Sequence, residues 1–474
     1  MRLFRLRPAA RTVVAALLAV SAAGCVSGSG PGADRTGGPG AGDPYFPKSG
    51  NGGYDVTHYT LDLAYEPRAR RLTGTATIDA RATQDLTALN LDLQGLDVEE
   101  VTVGGTDARW SREGQELTVR PRDALDRDQR FRVVVRYSGT PETVTDPDGS
   151  EEGWLPTADG ALALGQPTGS MAWFPGNHHP SDKATYSITV TVPKGLRAVS
   201  NGELVGEETE GGRTAYRWRV GEPMASYLAT VAIGAYETER TRTPDGLPVY
   251  TAVDPAQAAA SRAVLERIPE VVAWGERIFG PYPFASVGAV VDRPEDVGYA
   301  LETQNRPVFP GAPDILLLVH EIAHQWYGNS VTPRTWRDMW LNEGFATYAH
   351  WLWQEDHGGD TAQETFDLLY AGSYFPDAGS NEALWAFPPA EPPDAAHISA
   401  TPVYWRGAMV LHRIRRTVGD DAFFDLLRGW ARTHRHGTAD TADFTAYVEK
   451  SAPDKDFGRI WEDWLYGEGR PARE

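Results

Sequence analysis

The stretch DILLLVHEIAHQWYGNS, residues 314–330, runs a wall of leucines into two histidines and a glutamate. Charged and titratable groups directly after consecutive apolar residues need a reason. Helix geometry supplies one, because residues four apart share a face and His320 and His324 then point two imidazoles at one ion. Glu321 follows the first histidine and reaches a water on that ion. This is the H-E-x-x-H pattern, in which the histidines bind Zn2+ and the glutamate serves as general base. The competing reading is a surface helix that carries unrelated polar side chains.

A third ligand separates the two, and Glu343 follows His324 after eighteen intervening residues, within WRDMWLNEGFATYAHWLWQ. Phe345, Tyr348, Leu352 and Trp353 give that segment a helical apolar stripe, with Asn342 as a cap before it. Two packed helices bring two imidazoles and a carboxylate to three corners of a tetrahedron. Three protein ligands and an open fourth position mark a catalytic zinc rather than a structural one. Asp338 is a candidate partner for the outer nitrogen of a ligating histidine, and His350, seven residues after Glu343, a candidate neighbour of the metal's surroundings. Adjacent His178 and His179 face different ways and are not expected to ligate, and His434 and His436 are expected on a solvated surface.

H-E-x-x-H, eighteen residues and then N-E-G resembles the aminopeptidase N family of gluzincin zinc metallopeptidases. YALETQ (299–304) resembles the family's G-A-M-E-N exopeptidase strand. The resemblance places Glu302 as the anchor of the substrate's free amino group, with Ala300 beside it in substrate contact. PVYWRGAMVL (402–411) resembles the Y-x-K-G-A stretch and implies Tyr404 as the catalytic tyrosine. WFPGNHHPSDKATY (173–186) resembles a further family segment, and Gln166, nine residues before Pro175, matches a glutamine lining the amine site. Tyr299 stands where the family usually has glycine, Leu301 where it has methionine and Thr303 where it has asparagine. The family's large C-terminal helical domain has no counterpart in these residues, which implies a short form with a more open cleft.

The rest of the chain supplies the setting. Residues 1–25 read as an export signal: a basic start, an apolar run and SAAGC, whose Cys25 invites lipidation on the outer face of a bacterial membrane; ordinary secretion is the alternative. Cys25 is the only cysteine, so disulfides are excluded. Residues 26–50, rich in Gly, Ser and Pro, read as a flexible linker. Residues 51–245 alternate with period two, as in YTLDLAY and YSITVTV, and predict an all-β domain of sandwich or saddle type. Residues 246–474 turn mostly helical after short strands, an α+β, thermolysin-like catalytic domain. The net charge of −20 argues against nucleic acid as a partner and suits substrates with a free ammonium; oligomeric state is not legible.

The expectation is therefore a zinc aminopeptidase acting on peptides with a free N-terminus. Its rivals are a zinc endopeptidase with a degraded amine site and a non-catalytic, peptide-binding surface lipoprotein.

Overall fold

The computed structural model describes residues 35–473, so the expected export signal, Cys25 and the start of the expected linker lie outside the described residues. The strand Tyr54–Glu66 forms the centre of the first domain. Its alternation buries Tyr59, Leu61, Leu63 and Tyr65 on one face. It pairs antiparallel with Arg71–Ala82 and parallel with Lys183–Pro193, inside an eight-stranded sheet. A five-stranded sheet carries the hairpin Thr143–Thr145 and Glu151–Pro156 and the strand Ala161–Leu164, which leads directly into Gln166. The N-terminal domain is all-β and the region after it mostly helical, as the periodicities predict.

The expected boundary at 245/246 falls inside an antiparallel pair. Glu237–Arg242 bonds to Pro248–Val253, and that strand continues parallel to Val287–Asp292 and Val308–Pro310 as the four-stranded sheet of the second domain. Alternation cannot reveal the switch, because a strand joining a new sheet keeps the same period.

The expected flexible linker needs a larger correction. Residues 35–50 run against the protein, with Asp43 and Ser49 buried. Asp43 accepts from the backbone N–H groups of Tyr45, Phe46 and Trp336 at 2.8–2.9 Å, and the Ser49 hydroxyl donates to the His178 carbonyl. Backbone and polar side-chain bonds hold this strap, and such bonds leave no apolar periodicity in a sequence. His178 and His179 are buried here as structural groups: His178 Nε2 donates to the Phe174 carbonyl at 3.0 Å, and His179 pairs with Ser181.

The helices that matter for chemistry are Ile315–Ala323, Trp340–Asp356 and Gly407–Val418, the last entered through a wide turn at Pro402–Arg406. Asp314 caps the first, accepting from Leu317 N at 2.8 Å. The second and third cross at Gly344 and Gly407, where a Cβ on Gly344 would stand 3.0 Å from the Gly407 carbonyl carbon. Two glycines thus let the helix carrying Glu343 lie backbone to backbone against the turn carrying Tyr404. The chain after the third helix packs as Asp420–Thr433, which ends before the histidine pair, so His434 stacks on Trp430 and His436 lies in a turn.

Candidate active site

The helix Ile315–Ala323 buries Leu318 and Val319 and turns His320, Glu321 and His324 to a common cleft. Glu343, in the first turn of Trp340–Asp356, faces them: its Oε2 lies 3.2 Å from His320 Nε2 and 3.4 Å from His324 Nε2. One donor atom from each of the three residues falls within 4.8 Å of the others, and all three side chains are buried.

The electrostatics fit a cation at this point. Burial pushes the His324 imidazole down, but Glu343 and Glu302 outweigh it and hold it at about 10. Burial likewise pushes Glu343 up, and the two imidazoles overcome it and hold the carboxylate below its usual range. The surrounding acids thus favour positive charge at this point. Two imidazoles and one carboxylate are the donor set of a catalytic zinc. The residues present fit that ion, with His320, His324 and Glu343 holding it.

Asn342 does not cap its helix, which starts at Trp340 after Met339. Its Oδ1 instead accepts from His324 Nδ1 at 2.7 Å, which leaves the Nε2 lone pair free for a metal. Its Nδ2 donates to Glu302 Oε1 at 2.9 Å. The close approach requires Gly328, whose φ is +120° and where a Cβ would lie 1.8 Å from Asn342 Oδ1. Asp338 does not serve a histidine: it accepts from the Thr335 and Thr441 hydroxyls and the Thr441 N–H. His350 packs on His320 with ring centroids 4.9 Å apart, and His350 Nε2 and His320 Nδ1 are both buried without a hydrogen-bond partner.

Glu302 lies in an extended segment rather than a full strand, joined to its neighbour by one bridge between Leu301 and Val308. The tight turn that follows, with Asn305 at φ +69°, breaks the ladder. Three groups fix that segment. Asn329 Nδ2 donates to the Glu302 carbonyl at 2.6 Å, and Gln325 Oε1 accepts from Asn305 N at 2.9 Å. The buried Arg306 guanidinium donates to carbonyls of Tyr250, Ser200 and Gly202 while lying over Trp218 and Tyr250. The Gln166 amide nitrogen donates to both Glu302 carboxylate oxygens at 3.1 and 3.2 Å. Burial pushes Glu302 up, against the pull of His324.

Glu321 is buried with Oε2 lacking a protein partner, and burial pushes its carboxyl well up. The Tyr404 ring lies parallel to His320 with centroids 6.1 Å apart, and burial holds its phenol well above its ordinary value, so it stays a donor. Ala300, Glu302, Glu343 and Tyr404 line one cleft of about 670 Å³ together with Gln166. His320, Glu321 and His324 line the adjoining cleft with Ala300, Glu302, Glu343 and Tyr404, so of the residues singled out for the site only Asp338 lies apart. Gln325, Asn329, Asn342 and Arg306 were not singled out for it, although all four stand inside or next to the quoted motifs; polar residues amid an apolar run were the available signal.

The sequence profile of the Peptidase M1 N-terminal domain matches residues 55–228, and that of the Peptidase family M1 domain matches residues 313–464. Between them they take in well over half of the chain. It belongs to the M1 peptidase family. Probable aminopeptidase 1 of Saccharolobus solfataricus is 25% identical, over 81% of this chain and 50% of its own. Tricorn protease-interacting factor F2 of Thermoplasma acidophilum is also 25% identical, with the same coverages. The chain spans about half the length of these curated relatives. A crystal structure of an M1 zinc metallopeptidase from Deinococcus radiodurans, a glutamate-to-alanine variant bound to a Tyr-Ser-Ala substrate, superposes with a TM-score of 0.84 at 28% identity. That match covers 91% of this chain and 99% of the other.

Proposed function

We propose that the protein is a zinc-dependent aminopeptidase that removes N-terminal residues from peptides. The observation that carries this reading is the bridge Glu302–Asn342–His324, which fixes a buried carboxylate at a set distance from the metal ligands. Glu302, Glu321 and His324 each bring an atom within 4.8 Å of the others, so anchor, base and ligand are contiguous. The α-ammonium of a peptide pairs with Glu302 and the Gln166 carbonyl oxygen, and only the first peptide bond then reaches the reacting position. Zinc, when bound, polarises the scissile carbonyl and lowers the pKa of its water to about 7. Glu321 takes the proton of the attacking water and delivers it to the departing amine. Tyr404 donates to the developing oxyanion, a contact worth about 3 kcal/mol in comparable sites. The Deinococcus radiodurans neighbour's bound Tyr-Ser-Ala supports peptides as the substrate class.

The test is a panel of aminoacyl anilides, free and N-acetylated, with and without a zinc chelator, on the native chain and Glu321→Gln. We expect hydrolysis of the free substrates only, its loss on chelation, and a kcat lower by about 10²–10⁴ in the variant. Equal hydrolysis of the acetylated substrates would mean an endopeptidase. A variant as active as the native chain would remove the general base from the mechanism.

We also propose export and attachment through Cys25, supported by the sequence of residues 1–25. Expression in a bacterial host tests it: detergent-phase partition of the full chain that disappears in Cys25→Ser supports the anchor, and partition unchanged by that substitution overturns it.

A further inference from the structure

Beyond the amine anchor, the cleft takes an uneven charge. Asp146, Asp148, Glu151, Glu295 and Asp296 line it in addition to Glu302 and Glu343, and its lining includes no lysine, arginine or histidine among the described residues. Most of these are solvated carboxylates, but Asp146 is not. It sits buried in the turn joining Thr143–Thr145 to Glu151–Pro156, where its N–H donates to the Ser150 carbonyl at 2.9 Å. Behind it Glu152 is fully buried and held by the Thr168 N–H and hydroxyl, each at 3.0 Å from Oε1. Burial pushes both carboxyls up, Asp146 to about 10.

Tyr299 supplies an independent observation. It replaces the glycine usual at the start of the exopeptidase segment, its hydroxyl is buried without a hydrogen-bond partner, and the residue lines this cleft together with Asp146 and Glu302. Burial, with the charges of Glu152, Asp146 and Glu302, holds the phenol well above its ordinary value. A buried, unpaired hydroxyl is destabilising, and a ligand group that bonds to it recovers that cost. Leu155, Pro167 and Val297 add apolar wall.

We propose that this recess receives the side chain of the substrate's first residue and selects a long cationic one, arginine or lysine. The proposal rests on the aminopeptidase reading and names its preferred substrates. The apolar wall covers the methylene stem, as such stems require. Asp146 meets the charged head, and the Tyr299 hydroxyl accepts from it. The arriving cation pairs with the buried Asp146 carboxyl that lines the cleft, and a proton held there leaves to solvent. A buried cation needs this pairing, because an unpaired one is excluded by its lost hydration. An uncharged side chain of the same length leaves the acidic pair as it was and gains only the wall.

The experiment compares kcat/KM of the zinc-loaded full chain on arginyl and citrullinyl anilides, and on lysyl and 2-aminoheptanoyl anilides, each pair matched in length but not in charge. We expect the cationic member to be favoured at least tenfold, mainly through KM, and the ratio to fall severalfold in both Asp146→Asn and Tyr299→Phe. The second substitution removes only an oxygen, so it carries the test alone should the first not fold. Equal hydrolysis within each pair, or ratios unchanged by both substitutions, overturns the cation preference and leaves the aminopeptidase reading standing. Failure to hydrolyse any of the four, or leucyl anilide beside them, overturns both.

Discussion

At the scale of single residues, Asn342 has the largest consequence for its size. One amide bonds both to His324, a proposed metal ligand, and to Glu302, the proposed amine anchor, so in the proposed mechanism affinity for metal and for the peptide terminus share a part. Asn342→Leu keeps the volume and removes both bonds. We expect its zinc affinity, measured against a competing chelator, to fall about 10–100-fold, with KM for free-amine substrates rising in parallel. Unchanged zinc affinity would show that the His324 tautomer is set by its second contact, the Tyr327 carbonyl at 3.1 Å. Glu302→Ala is expected to act differently, leaving zinc affinity within a few-fold while abolishing the discrimination between free and acetylated substrates. The residues proposed as ligands and base stand out in the sequence because metal chemistry demands particular residue types at fixed spacings, whereas Glu302 was reached through the family resemblance alone. Asn342 was legible only as a residue and not as a role. The same amide beside a helix start reads equally as a cap, and the choice depends on where Gly328 lets it go.

At the scale of elements, the crossing at Gly344 and Gly407 sets Tyr404 against the helix that bears Glu343. A methyl group added at Gly344 meets the Gly407 backbone, which has no flexible side chain to move aside. Gly344→Ala should therefore cost about 1–3 kcal/mol of stability and shift the tyrosine turn. The expected signature is a lower melting temperature together with a kcat loss similar to that of Tyr404→Phe and not additive with it. A variant with full kcat would mean that the two helices slide apart without moving the turn. The strap at 35–50 is an element of another kind, since it packs by polar anchors. Asp43 accepts from the N–H of Trp336 where the short turn Trp336–Asp338 begins, just ahead of the glutamate helix. Asp43→Ala leaves three backbone N–H groups without that acceptor, and we expect a destabilisation of about 1–3 kcal/mol by chemical denaturation. No destabilisation would show that water replaces the carboxylate.

At the scale of the whole molecule, buried acids make stability depend on pH with an unusual sign. Burial pushes Asp92 up to about 8 and Asp182 to about 7. Between the ordinary carboxylate range and those values the folded chain holds protons that the unfolded chain has lost. The contribution of these two carboxyls is then fullest below the ordinary carboxylate range and declines from there as pH rises to about 7 to 8. We expect the melting temperature to fall from pH 5 to pH 9. Asp92→Asn, which mimics the protonated form, should flatten that slope, and an unaltered slope would mean that Asp92 is ionised in the fold.

The sequence alone determined the periodicities, the order of an all-β domain and a mostly helical one, and the residue types of a zinc site. Each of these follows from local spacing along one strand or helix. Tertiary structure decided which polar side chain serves which histidine, where the second sheet begins, that a glycine- and proline-rich segment is bound down, and that Tyr299 and Asp146 line one cleft. Those outcomes depend on packing between elements, some of it between groups far apart in the chain, as Asp43 and Trp336 are, and periodicity along one element carries no record of such meetings.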